Sequence, residues 1–242
     1  MQYMLLHAID EGREWDEGHV AETQSLLGTW LEETMRRKVN LQGSRLRPTS
    51  DATTVRVRDG DVMVTDGPFA EAKEQLAGYD VLLCENAQEA LDWAAKHPTA
   101  RMGSIEVRPF FEDLPIETLP EQRPETIRYM LLVCVDESVQ LTPEEGSRMG
   151  PATEAWVADT ESRGIRLYGN RLAPLHTAHT VRVKDDRVIV VDGPFAETKE
   201  QIAGFDVLEC ADLDEALAVA STHPVASFGA LEIRPFWRFG EN

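Results

Sequence analysis

Two stretches of this chain are nearly the same: VTDGPFAEAKEQLAGYDVLLC, beginning at Val64, returns as VVDGPFAETKEQIAGFDVLEC, beginning at Val190. Self-similarity at one long period constrains a fold more than any local signal does, because each copy must be a supersecondary unit that repeats. The register holds throughout. Tyr3 matches Tyr129, Trp30 matches Trp156, Gly43 matches Gly169, Asp66 matches Asp192, His97 matches His223 and Arg108 matches Arg234, each pair 126 positions apart. The chain therefore divides into a first module at 1–111, a linker at 112–127 and a second module at 128–239. The linker is acidic, rich in proline and without apolar periodicity, as a semi-extended connector would be.

Within each copy the hydrophobic period names the elements. Tyr3 to Ile9 and Tyr129 to Val135 are short continuous apolar runs, hence buried strands. Leu26, Leu27, Trp30, Leu31 and Thr34 in the first copy, and Ala155, Trp156, Val157 and Thr160 in the second, fit a helix with one buried stripe. Thr54 to Arg58 and Asp61 to Thr65 alternate around Asp59-Gly60, a hairpin signal with a primed turn, whereas the second copy has Asp185-Asp186 there. Asn86 and Asp212 precede Glu89 and Glu215 in the manner of helix N-caps, and those helices should stop before Pro98 and Pro224. GSIEVRPF and GALEIRPF close each copy as strands. Strand, helix, strands, helix, strand is the order of a ferredoxin-like α+β module with helices on one face of its sheet. Two such modules in one chain predict packing of sheet against sheet across a pseudo-twofold axis.

The pattern TTVRVRDG, V.DGPFAE.KEQ.AG(Y/F), DEAL, HP and E(V/I)RPF resembles the YCII-related, DGPF-type domain family over both modules. That resemblance implies an intramolecular dimeric α/β barrel with a cleft between the modules. It also implies heterogeneous function. Some relatives resemble enzymes, including a dehydrochlorinase of chlorinated hydroquinones, and carry a His–Asp pair in the cleft; many others are small proteins associated with sigma factors. Where the enzyme-like branch has Asp-Pro after the last helix, this chain has His97-Pro98 and His223-Pro224, and no histidine recurs in the first helix. The family's catalytic pair therefore does not transfer position by position.

Charge narrows the partners. Lys and Arg number 24 against 43 Asp and Glu, a formal charge of −19, so the long-range field repels phosphate backbones and anionic lipid alike. Neither nucleic acid nor membrane is expected as a partner. No apolar run approaches the ~20 residues of a bilayer span and no basic signal region opens the chain, so a cytoplasmic location is expected. Cys84, Cys134 and Cys210 lie in apolar strands without metal or disulfide spacing, as buried free thiols would.

The candidate site residues come from the repeated motif and its neighbours. Asp66 and Asp192 of the DGPF turn are candidate general bases if burial raises their pKa, with Lys73 and Lys199 beside them at a cleft rim. The competing structural reading gives Asp66 the N–H groups of the turn, Gly67 a positive φ and Phe69 a place in the core. Arg56 and Arg182 on the hairpins, and Arg108 and Arg234 on the last strand, are candidate anchors for an anionic ligand, or else partners of the many acids. His7 is a further ligand-binding candidate because the second copy has Val133 in its place. His97 and His223 end helices, where the dipole would favour an imidazolium. His176 and His179 lack the further ligands a metal needs, so no metal is expected, and no phosphate-binding glycine motif calls for a cofactor. Two functions remain open beside a bare scaffold role. One is a small-molecule binding protein, with or without acid–base catalysis on a polar or aromatic compound; the other is an interaction or regulatory module for a protein such as a sigma factor. The chain would act as a monomeric pseudo-dimer or as a homodimer.

Overall fold

The computed structural model describes residues 1–115, 119–136 and 138–237. The middle of the linker at 116–118 and the end of the second module at 238–239 lie outside the described residues. In the first repeat the elements are β1 (Gln2–Ile9), α1 (Glu17–Arg36), β2 (Asn40–Arg45), β3 (Thr53–Arg58), β4 (Asp61–Asp66), β5 (Gln75–Leu83), α2 (Ala87–Lys96), a single-turn α3 (Thr99–Met102) and β6 (Ser104–Pro109). In the second they are β7 (Ile127–Val135), α4 (Pro143–Ser162), β8 (Arg166–Arg171), β9 (His179–Lys184), β10 (Arg187–Asp192), β11 (Gln201–Cys210), α5 (Leu213–Ser221) and β12 (Ala230–Pro235).

Local signals act as the sequence predicts. Asn86 and Asp212 accept the N–H groups of Glu89 and Glu215, and α2 and α5 end before Pro98 and Pro224. Both hairpins turn through two left-handed residues, Asp59 (φ 55°) with Gly60 (φ 88°) and Asp185 (φ 51°) with Asp186 (φ 57°), so the second copy makes a primed turn without glycine. The helix stripes are narrower than expected. Trp30 and Thr34 of α1, and Trp156 and Thr160 of α4, are buried, while Leu26, Leu31 and Ala155 stay exposed.

Each repeat supplies a four-stranded antiparallel core in ferredoxin-like order, β6-β1-β5-β2 in one sheet and β12-β7-β11-β8 in the other. Both sheets have six strands, because each is extended by a hairpin from the opposite repeat. Strands β9 and β10 continue the first sheet beyond β6, and β3 and β4 continue the second beyond β12. The compact units are consequently not the stretches 1–111 and 128–239. The first comprises Met1–Arg45, Glu71–Thr118 and Leu172–Glu197, and the second comprises the remainder. The exchange is driven by burial: Val181 and Val183 of β9 complete the first core with Tyr3, Leu5, Trp30 and Trp93, and Val55 of β3 completes the second with Tyr129, Leu131 and Trp156. Each such valine contributes about 1.5–3 kcal/mol when taken from water.

The linker is tied down at both ends. Gln2 exchanges hydrogen bonds with Asp113 and Leu114, and Arg123 holds the buried Glu209 through its backbone and side chain. No helix among the described residues is long and apolar enough to cross a membrane.

Candidate functional site

The repeated motif locks the exchanged hairpins. At the end of β4 the N–H of Gly67 (φ 100°) goes to Ala52 O and the Thr54 hydroxyl donates to Gly67 O; Gly193, Ala178 and Thr180 repeat this after β10. These groups do the work that the sequence reading gave to Asp66. The following backbone N–H of Phe69 is held by Glu232 on β12 at 2.9 Å, and that of Phe195 by Glu106 on β6 at 3.1 Å. Phe69 and Phe195 are only half-buried, so the motif is fixed through its backbone and not by a phenyl plug. Arg108 and Arg234 are buried against those same carboxylates, with Arg234 also donating to Arg47 O. Arg182 pairs with Glu74 and Arg56 with Glu200, each joining an exchanged hairpin to the KEQ segment of the other repeat. Burial alone would raise Glu74, but hydrogen bonds from Arg182 and Ser104 outweigh it and hold the carboxyl below its ordinary range.

The candidate bases of the motif lie at the surface. Asp66 and Asp192 are exposed at strand ends, so the burial that would make them bases is missing there. Asp192 meets His179 Nδ1 at 3.0 Å. Lys73 and Lys199 are exposed as well, Lys199 reaching Asp136 at 3.9 Å.

A different set of groups converges inside the first unit. His7 on β1, Asp80 on β5 and His97 after α2 are all buried, and their ligating atoms lie within 4.8 Å of one another. They occupy the helix-facing side of the sheet, since Asp80 stands opposite Leu5 of the core cluster and the His97 ring meets Trp30 edge-on at 4.7 Å. His7 Nε2 is 3.1 Å from Asp80 Oδ2 and His97 Nε2 is 3.8 Å from it, with the two imidazoles 4.3 Å apart. Although His7 Nε2 touches the carboxylate, its ring is turned so that no well-directed hydrogen bond forms, a common state before a ligand tightens a site. Asn40 Nδ2 donates to Asp80 Oδ1 at 2.8 Å. Gly43 is required beneath them: a Cβ there would come within 2.0 Å of Asp80 Oδ1.

Tautomers follow from these contacts. His97 Nδ1 accepts the N–H of Thr99 at 3.2 Å, so its ring proton sits on Nε2 and points toward Asp80. Burial, and then the neighbouring His7, push His97 well below its ordinary 6.5, and burial pushes His223 down to about 4. The helix dipole expected to favour imidazolium at both positions is outweighed by desolvation, and both rings act as neutral acceptors for the next turn. Two histidines and a carboxylate at this spacing could bridge a divalent cation, but the atom His97 would have to offer carries its proton. The set fits proton transfer better. With the carboxylate as acceptor, the His7 proton is placed on Nε2 and the Nδ1 lone pair is turned toward Gly78, where Ser44 O lies 2.8 Å from the place a Cβ would take.

The second unit carries a different solution at the matching positions. Val133 replaces His7, and Arg166 replaces Asn40 and binds Asp206 through Nε at 2.6 Å. Burial raises Asp206, with Arg166 offsetting part of that rise.

Comparison with known proteins agrees with the repeat. Residues 1–112 and 127–240 each match the YCII-related domain. An uncharacterized protein, R00369 of Rhizobium meliloti (strain 1021), is 49% identical over 67 residues, 27% of this chain and 54% of that protein, so the match spans about half of the relative's length. Among solved structures, a protein provisionally named chlorite dismutase TA0507 aligns over 98% of this chain and 94% of its own at 7% identity and a TM-score of 0.46. One provisionally named a monooxygenase, from Lactobacillus acidophilus NCFM, aligns over 98% and 92% at 11% identity and 0.37. With both modules matched from end to end, the chain belongs to the YCII-related domain family, of which it carries two tandem copies.

Proposed function

We propose that the first unit binds a small polar or aromatic molecule and performs acid–base chemistry on it with His7 as the proton acceptor. The observation that carries this reading is the contact of 3.1 Å between His7 Nε2 and Asp80 Oδ2 in a buried setting, backed by a neutral His97. Asp80 orients the ring and offsets the charge that His7 gains when Nδ1 takes a proton; His97 Nε2 faces the same carboxylate oxygen from 3.8 Å and helps direct it. The test needs no known reaction. Hydroxylated aromatics and small carboxylic acids are incubated with the protein in deuterium oxide, and bound compounds are followed by mass. A ligand that gains carbon-bound deuterium, kept on return to water, with the parent protein but not with His7→Gln or Asp80→Asn supports the reading. Equal exchange in all three proteins, or its loss only in Asp66→Asn and Asp192→Asn, moves the chemistry elsewhere.

A second reading, a protein-interaction or regulatory module with a partner such as a sigma factor, is favoured by a separate feature. Val62, Met63 and Val64 on β4, and Val188 to Val191 on β10, are exposed on edge strands and flanked by Asp59, Asp61 and Asp66 or by Asp185, Asp186 and Asp192. Apolar patches rimmed by acid suit a partner with an apolar, basic face. Binding of such a partner that is lost in Val64→Lys or Val190→Lys but kept in His7→Gln would establish this reading.

A further inference from the structure

The two repeats treat the same buried carboxylate in opposite ways. Asp206 is held by a guanidinium, Arg166 Nε at 2.6 Å, and Arg166 is fixed in turn by Glu161. Asp80 is held by an amide, Asn40 Nδ2 at 2.8 Å, which satisfies Oδ1 without supplying any charge. Both carboxylates lie across a glycine, Gly43 or Gly169, in contact so close that a Cβ on either would reach 2.0 Å from Oδ1. They therefore share one backbone setting and differ in what faces them. In the second unit the charge is met by Arg166, with the neutral His223 nearby and Val133 where an imidazole would stand. Among the described residues that meet Asp80 in the first unit, Asn40 is neutral and burial keeps His97 so, which leaves His7 as the imidazole in contact with the carboxylate at 3.1 Å.

We infer that Asn40 is the positioning residue that leaves Asp80 to His7, and that the arginine at its counterpart, Arg166, closes the second unit, so that the chain holds one working site. This rests on the acid–base reading of His7, and it names what selects the active copy. An arginine at position 40 would take Asp80 Oδ1 through a charge-assisted bond and turn the carboxylate away from the imidazole. Asparagine pins one oxygen and leaves the second, Oδ2, aimed at His7 Nε2.

The test is proton NMR of the full chain, with no ligand, read at the ring N–H of His7. A ring N–H buried beside a carboxylate is shielded from water and gives a resonance that exchanges slowly, and His7→Gln assigns it. The resonance is expected in the parent protein, lost in Asn40→Arg, and weakened with faster exchange in Asn40→Ser, a smaller change that keeps the proposal testable should the arginine variant not fold. The paired substitution Val133→His with Arg166→Asn is expected to create a second such resonance beside Asp206. Unchanged melting and unchanged His97 and His223 signals separate positioning from general loosening. Persistence of the His7 resonance in folded Asn40→Arg or Asn40→Ser, or no new resonance in the folded paired variant, overturns the inference. Failure of the acid–base reading has a different signature: the resonance behaves as expected, yet His7→Gln exchanges ligand protons as well as the parent does.

Discussion

Phe69 gives its backbone N–H to the buried carboxylate of Glu232 at 2.9 Å, so the motif that recurs most strictly is fastened by a residue of the other repeat. The same carboxylate holds Arg234, which is fully buried. Glu232→Ala should therefore cost about 3–5 kcal/mol, because it strands a buried guanidinium as well as freeing the turn. Urea unfolding would measure the loss, and hydrogen exchange should show residues 53–66 opening first. A drop below about 1 kcal/mol would mean that the lock is ornamental.

Gly43→Ala should break the site and crowd β5, whose Tyr79 carbonyl would lie 2.9 Å from the new methyl. The added methyl would lie 2.0 Å from Asp80 Oδ1, so the carboxylate must swing away from His7. A stability loss of about 1–3 kcal/mol is expected from the overpacking. It should come with loss of ligand deuteration, whereas Gly28→Ala, at an open position inside α1, should keep the deuteration and gain up to about 1 kcal/mol of stability.

Acid should weaken the fold through its buried histidines. Unfolded His223 takes up a proton near pH 6.5, while the folded ring refuses it until about pH 4, so stability falls as pH drops through that interval. The loss from His223 alone reaches about 3 kcal/mol at the acidic end. His97 acts in the same direction. Asp206, raised by burial, takes up its proton more readily when folded and so works in the opposite sense. Melting temperatures between pH 7.5 and 4.5 should decline in the parent and flatten in His223→Asn; parallel curves would refute the assignment.

The thiols should be silent in the folded protein. Burial pushes Cys84 and Cys210 up to about 12 and holds Cys134 well above its ordinary value, which leaves almost no thiolate at pH 8. Ellman's reagent should react with all three only at the rate of unfolding. A fast phase in native buffer would identify an opening that exposes a strand.

Much of the fold was legible because its signals are local: the apolar runs of β1 and β7, the caps at Asn86 and Asp212, and the turn at Asp59-Gly60 each satisfy themselves within a few residues. The destination of the hairpins was not. Val55 and Val181 alternate identically and would suit the edge of either sheet, so only contacts between distant segments decide which one they join. His7 stood out as an asymmetry between copies. Asp80 did not, although it carried a signal: an acid kept in both repeats in the middle of an apolar strand, opposite a glycine also kept in both. His97 was misread because proximity to a helix end was weighed without the burial that reverses its effect.

The exchanged hairpins also set a timetable for synthesis. The first core needs Val181 and Val183, which leave the ribosome more than seventy residues after β6, the strand they must join. At the ordinary pace of translation, about 5–20 residues per second, β6 waits for several seconds with its outer edge unpaired. During that interval β3 and β4 wait too, since their own sheet does not exist until β12 emerges close to the end of the chain. Nascent chains stalled before residue 179 should therefore remain protease-sensitive and chaperone-bound throughout, and order should arrive late and in both units almost together.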